Sequence, residues 1–465
     1  MRRYLKKVSF LLLLVFLAVT ALAGCGGAKS EDKGGQAGGD KAFDWKAYSG
    51  ETIKLALVKH PWTDSVLFQL DSFKSLTGID VLYDVYPEEE FFNKITVVLS
   101  SGSSEYDAFM IGPYQIWQYA PANWLEPLSS YMNSESLTGA DWDKEDIYPN
   151  ILGTDAWDLK MGSQVGTGEQ WALPFAFHLN ALQYRKDLFE KYDLKVPETI
   201  EDVIEVGKVI QQNEKNMYGI SVRGTRSWAT IHPGFLTGYQ SYGAKDFDSN
   251  LNPAMNSPEA VAMVEDWIKM VKEVGPPQWT NTTWYEVTNS LGGGQSAMIY
   301  DADVLGYFVN SPGSSDQAGN IAWAPGPGKD GPALEPNLYT WSLSINSKSK
   351  NKDAAWYFLQ WATSKEVQLK GALEKDLVNP IRKSVWENPD FKKRLEGFDN
   401  YYQTYQEIIG GANIYYTPEP LFFETTTLWS EALQQVYLGQ KTAQQALDGV
   451  AEELSKRLKE QGLGK

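Results

Sequence analysis

Cysteine is nearly absent: the 465 residues hold one, Cys25. The chain therefore forms no internal disulfide and no cysteine-ligated zinc centre. Histidine is almost as scarce, with only His60, His178 and His232, none at zinc-ligand spacing. Basic residues are outnumbered, 42 Lys and Arg against 59 Asp and Glu, for a formal charge of −17. Such a surface repels nucleic acid and disfavours polyanionic ligands, leaving neutral or cationic ones open. No window after residue 24 is long and apolar enough to span a membrane. Gly292-Gly293-Gly294 reads as a turn, because no Gly-Lys-Ser/Thr follows to make a phosphate loop, and there is no Gly-x-Ser-x-Gly nucleophile elbow. Asp246-Phe247-Asp248 begins like a calcium loop, but Leu251 and Ser257 stand where that loop needs Gly and Glu. No metal and no cofactor is expected.

What is present starts at the N-terminus. Arg2, Arg3, Lys6 and Lys7 precede an apolar, charge-free stretch over residues 8–23. That stretch is shorter than the roughly 20 residues of a comfortable spanning helix, and it ends in small residues, so residues 1–24 read as a secretory signal. Leu22-Ala23-Gly24-Cys25 resembles a bacterial lipobox. The resemblance implies that cleavage leaves Cys25 as the first mature residue, its thiol lipidated and so unavailable as a nucleophile. Acyl chains that each bury about 0.8 kcal/mol per methylene would hold the protein at the outer face of the cell membrane. Residues 26–41 are rich in Gly, Lys, Asp and Glu without core-forming side chains, and residues 25–48 are expected to be a flexible tether. Removing residues 1–24 takes away four basic residues and leaves a charge of −21.

The remaining length suggests two domains with ample core. Residues 52–58 alternate like a strand, 68–76 have helical spacing ended by Gly78, and 79–85 return to a strand pattern. An amphipathic helix over 88–99 and a strand over 106–111 follow. Thr199 with Asp202, Ser257 with Pro258, and Thr442 with Gln445 mark helix starts. Strands alternating with helices argue for a mainly parallel α/β architecture. The chain is rich in aromatics, with 17 Trp, 25 Tyr and 19 Phe. Flat apolar faces with polar rims suit the C–H faces of a sugar, which is modest support for a carbohydrate ligand.

Four segments resemble family 1 extracellular solute-binding proteins of sugar ABC importers. They are "WALPFAFHLNALQYRKDLFEKYDLKVPETIEDV" from Trp171, "GGGQSAMIYDADV" from Gly292, "LSINSKSKNKDAAWYFLQWATSKEVQ" from Leu343 and "ALQQVYLGQKTAQQALDGVAEELSKRL" from Ala432. They occur in the family's order across roughly residues 50–460, and the "RGTRSW", "KEVGPP" and "MIYDADV" stretches look closest to the branch that handles sugar alcohols. The resemblance implies a type II-like, two-lobed periplasmic-binding-protein fold. Residues 49–175 plus 340–378 would form the N-lobe and 176–339 plus 379–465 the C-lobe. Three hinge crossings would lie near 174–178, 335–341 and 378–381. It also implies capture of a neutral sugar, oligosaccharide or sugar alcohol between the lobes, delivery to ABC permease subunits, a monomer, and no catalysis. By the same resemblance the ligand contacts would be His60, Trp62, Tyr114, His178, Arg223, Arg226, Trp228, Asp301, Trp341 and Arg382. Trp228 and Trp341 would form a double stacking platform.

Two other readings stay open at this level. A tethered glycosidase or lyase would need a carboxylate pair, about 5–10 Å apart for a glycosidase, and with 59 acidic residues counting does not exclude one. A binding protein for a non-sugar solute such as a polyamine is compatible with the acidic surface. Glu88-Glu89-Glu90 reads as a solvated helix start, where negative charge suits the dipole.

Overall fold

The computed structural model describes residues 42–463; Cys25 and the expected signal and most of the tether lie outside them. The described strands, in chain order, are β1 (Thr52–Val58), β2 (Asp80–Tyr86), β3 (Ala108–Ile111), β4 (Ala156–Trp157), β5 (Glu169–Gln170) and β6 (Leu173–Arg185). They continue as β7 (Tyr218–Ser221), β8 (Ser296–Ala302), β9 (Ile321–Pro327), β10 (Pro332–Ala333) and β11 (Leu338–Ile345). Apart from the small β4–β5 pair they form one branched sheet.

Two α/β halves make up this sheet. In the first, β1 pairs in parallel with both β2 and β3, as strands linked by helices do. In the second, β7 pairs in parallel with β8. The expected parallel arrangement holds within these units. The long strands that run between them add antiparallel pairs. β6, buried along all 13 residues, pairs with β11 over Leu173–Leu179 and with β8 and β9 over Asn180–Arg185. β11 in turn pairs with β3. A strand shared by two half-sheets in this way is buried on both faces, so its polar residues His178, Asn180, Gln183 and Arg185 are buried along with its apolar ones.

Helix starts follow the capping signals. Thr199 with Asp202, Thr442 with Gln445, and Thr283 with Glu286 each close a capping box, and Ser257 caps the helix Pro258–Val274. Gly78 ends the helix Leu70–Thr77 at φ 76°, a left-handed position that glycine occupies without a Cβ penalty. One local expectation changes. The helix expected over 68–76 starts at Leu70, and a separate short helix, Pro61–Leu67, precedes it with His60 as its N-cap. Pro61 at the first helical position is the cause, because its fixed φ is already helical. That extra helix places His60 and Trp62 at the C-terminal end of β1, where parallel units direct their functional loops.

Candidate functional site

A narrow cavity of about 40 Å³ lies where β1, β6, β8 and β11 end or cross. Its centre is a cross-strand pair. Tyr339 of β11 stands directly opposite His178 of β6, and their rings stack at 5.1 Å and 26°. His178 Nε2 and the Tyr339 hydroxyl are both buried and have no hydrogen-bond partner among the described residues. Gly112 provides the seat for that hydroxyl: a Cβ there would meet it at 2.1 Å.

His232, at the end of the short helix Trp228–Ile231, stacks at 6.0 Å on His178 and at 5.3 Å on Trp228. Its Nε2 lies 3.5 Å from Arg223 Nη1, whereas its Nδ1 is buried without a partner. Its carbonyl accepts from Asn180 and Asn337, so two buried amides hold it in place. His60 uses Nδ1 to accept the N–H of Trp62, which leaves the proton on Nε2. Enclosure by Trp62, Trp341 and Phe308 pulls its pKa down to about 3. Burial, reinforced by the Arg223 charge, holds His178 and His232 well below the usual imidazole value. All three histidines of the chain therefore meet at this cavity as neutral groups, His60 with its Nε2 proton left to donate.

Arg223 is the cavity's cation, and its charge is already matched. Nε and Nη2 donate to the Asp301 carboxylate at 2.8 and 2.6 Å, and Nη1 donates to the Ala229 carbonyl. Asp301 is fully buried and also accepts the N–H of Ala302. Trp228, Trp284 and Trp341 supply broad apolar faces, and Glu88 is the one acidic residue of the lining. A site of this kind offers hydrogen bonds to hydroxyl groups and flat faces to C–H groups, with no spare positive charge for an anion. Among the described residues, no three His, Cys, Asp or Glu side chains cluster as metal ligands.

Of the residues marked in the sequence, His60, His178, Arg223, Trp228 and Trp341 line the cavity, and both proposed platforms are among them. Asp301 stands behind Arg223. Trp62 is fully buried behind His60. Tyr114 lies one layer behind Tyr339, with its hydroxyl accepting from Asn337. Arg226 pairs with Glu431 at the protein surface and borders an outer hollow. Arg382 is buried elsewhere, donating to the carbonyls of Thr363 and Asp143.

Tyr339, His232, Trp284 and Glu88 line the cavity without having been marked. Tyr339 had a signal: it lies two residues before Trp341 in a strand, hence on the same face. Glu88 did not, because a carboxylate at a helix start looks the same whether it faces water or a cleft; here it faces the cavity. Trp284 and His232 stand at helix ends whose position depends on the whole lobe.

A family model described as "Bacterial extracellular solute-binding protein" matches residues 52–369. An erythritol/L-threitol-binding protein of Mycolicibacterium smegmatis is 39% identical over 433 residues, covering 92% of this chain and 90% of that protein. A mannitol-binding protein of Pseudomonas aeruginosa is 28% identical, covering 68% of this chain and 70% of that protein. Among solved structures, an ABC transporter solute-binding protein of Agrobacterium radiobacter in complex with ribitol superposes with a TM-score of 0.76. It is 26% identical and covers 89% of this chain and 99% of its own. One from Agrobacterium vitis with bound D-mannitol gives a TM-score of 0.74 at 27% identity, with the same coverage.

Proposed function

We propose, from the premise that this chain belongs to the bacterial extracellular solute-binding protein family, that it captures an acyclic sugar alcohol in the inter-lobe cavity and hands it unaltered to an ABC importer. The observation that carries this is the pairing of unsatisfied buried polar atoms, His178 Nε2 and Tyr339 OH, with three tryptophan faces and no unmatched cation. Unpaired buried polar atoms are costly, and a ligand's hydroxyl groups would satisfy them. The names of the relatives, for tetritols and mannitol, and the bound ribitol and mannitol of the structural neighbours agree with that chemistry.

The mechanism is capture and release. A hydrated polyol exchanges its water hydrogen bonds for those of the neutral imidazoles, Tyr339 and Arg223, while its carbon chain lies on the indole faces. The lobes then close because the closed state alone makes both sets of contacts. The crossings at 174–178, 335–341 and 378–381 serve as the hinge in this reading. The mature protein is a monomer tethered through lipidated Cys25 to the outer face of the membrane.

A thermal-shift screen of the lipid-free mature chain against erythritol, ribitol, mannitol, maltose and spermidine tests the reading, with each hit then incubated and checked for turnover. A polyol at one hundred times its Kd should add about 2.7 kcal/mol of stability. A response to spermidine alone, or consumption of the polyol, would sink the proposal.

A further inference from the structure

The inner cavity does not end at its aromatic wall. Glu88, Arg223, Trp228 and Trp284 also border a second hollow of about 450 Å³, rimmed by the exposed Arg226 and Tyr285. There Tyr285, 47% exposed, lies on Trp284 with ring centroids 3.6 Å apart and planes at 27°. Phe92 faces the same hollow from the helix Glu88–Ser100 and stacks at 6.0 Å and 14° on Trp341. The aromatic lining therefore runs continuously from the inner chamber to the surface.

Local structure holds these rings in place. The Thr283–Glu286 capping box sets Trp284 and Tyr285 at the first two helical positions. The loop carrying Arg226 and Ser227 rests on Trp279, since a Cβ on Gly224 would come within 2.1 Å of the Trp279 carbonyl oxygen. The inner chamber already supplies three indoles for a short carbon chain. A further exposed, rigidly held aromatic pair outside it suits a ligand with a flat C–H face, which a pyranose ring has.

We propose that the outer hollow is a second subsite, which takes a pyranosyl ring attached to the terminal carbon of a polyol seated inside. The cargo then includes glycosyl-alditols as well as free alditols. This rests on the polyol reading of the inner chamber and extends it.

The test is isothermal titration of the mature chain with erythritol, sorbitol and isomaltitol, the last carrying glucose on the terminal carbon of sorbitol. Isomaltitol is expected to bind about tenfold more tightly than sorbitol. Tyr285→Ala should abolish that gain while leaving sorbitol within about twofold, and Tyr285→Phe should keep it. Isomaltitol binding no tighter than sorbitol, or a Tyr285→Ala loss shared equally by both, overturns the subsite and leaves the inner-chamber reading intact. If none of the three binds, and ribitol and mannitol do not bind either, the inner-chamber reading falls too.

Discussion

Tyr339 and His178 are opposite partners in a buried strand pair that lines the cavity, and each carries a buried polar atom that nothing in the described protein satisfies. Two strands that run between the lobes thus carry the site's central pair.

Tyr339→Phe separates the roles of ring and hydroxyl. The ring keeps its stacking, so the melting temperature should stay constant or rise slightly. Polyol affinity should fall by about 1–3 kcal/mol, because a ligand hydroxyl then faces a C–H edge. Differential scanning calorimetry and titration on the same sample check both.

Asp301 is read here as the residue that positions Arg223. Asp301→Ala leaves a guanidinium buried and unmatched, which should cost about 3–5 kcal/mol of stability and weaken polyol binding as well. Asp301→Asn, which keeps one acceptor, should fall between it and wild type. Retention of full affinity in the Ala variant would show that Arg223 needs no such partner.

Affinity should be flat between pH 5.5 and 8. The three cavity imidazoles have depressed pKa values, about 3 for His60, so they remain neutral across that range, His178 and His232 with help from the Arg223 charge. The sign for stability follows. A depressed histidine contributes fully above its unfolded value of about 6.5, and the contribution is lost as pH falls through the folded value. A binding curve with a midpoint near 6.5 would show that one imidazole protonates.

Asp155 has the opposite dependence. It is fully buried, its Oδ2 has no partner, and burial pushes its pKa up to about 7 despite nearby Ser342, Thr340 and Thr154. A raised carboxyl stabilises the fold below its unfolded pKa, and that contribution is lost as pH rises through about 7. Asp155→Asn should therefore stabilise the protein at pH 8 by up to about 4 kcal/mol, with the gain shrinking towards pH 5. Denaturant midpoints at the two pH values measure the difference.

Much of the fold was legible because its signals are local. β1 alternates over the residues expected, the Gly78 cap needs no distant contact, and the capping boxes at Thr199 and Thr442 are read within four residues. The antiparallel joins through β6 and β11 were not legible, since their partners lie more than 100 residues apart in sequence. Pro61 is a local signal for the helix that His60 caps, legible from its fixed φ alone.

The site divides along the same line. The aromatic excess, the acidic surface and the scarcity of cysteine and histidine are properties of the chain alone, and they left neutral and cationic ligands open, the aromatics favouring a sugar. Which side chains meet is a property of the fold. Asp301 and Arg223 are 78 residues apart and become one matched pair, so a carboxylate expected at the ligand stands behind the guanidinium instead. His178 and Tyr339 become neighbours only when two strands from different parts of the chain align in register. Periodicity and capping are set by energies within a turn or two of backbone. The pairing of a charge, or the orphaning of a hydroxyl, depends on which distant groups share the same low-dielectric volume, and that is decided only once the lobes are packed.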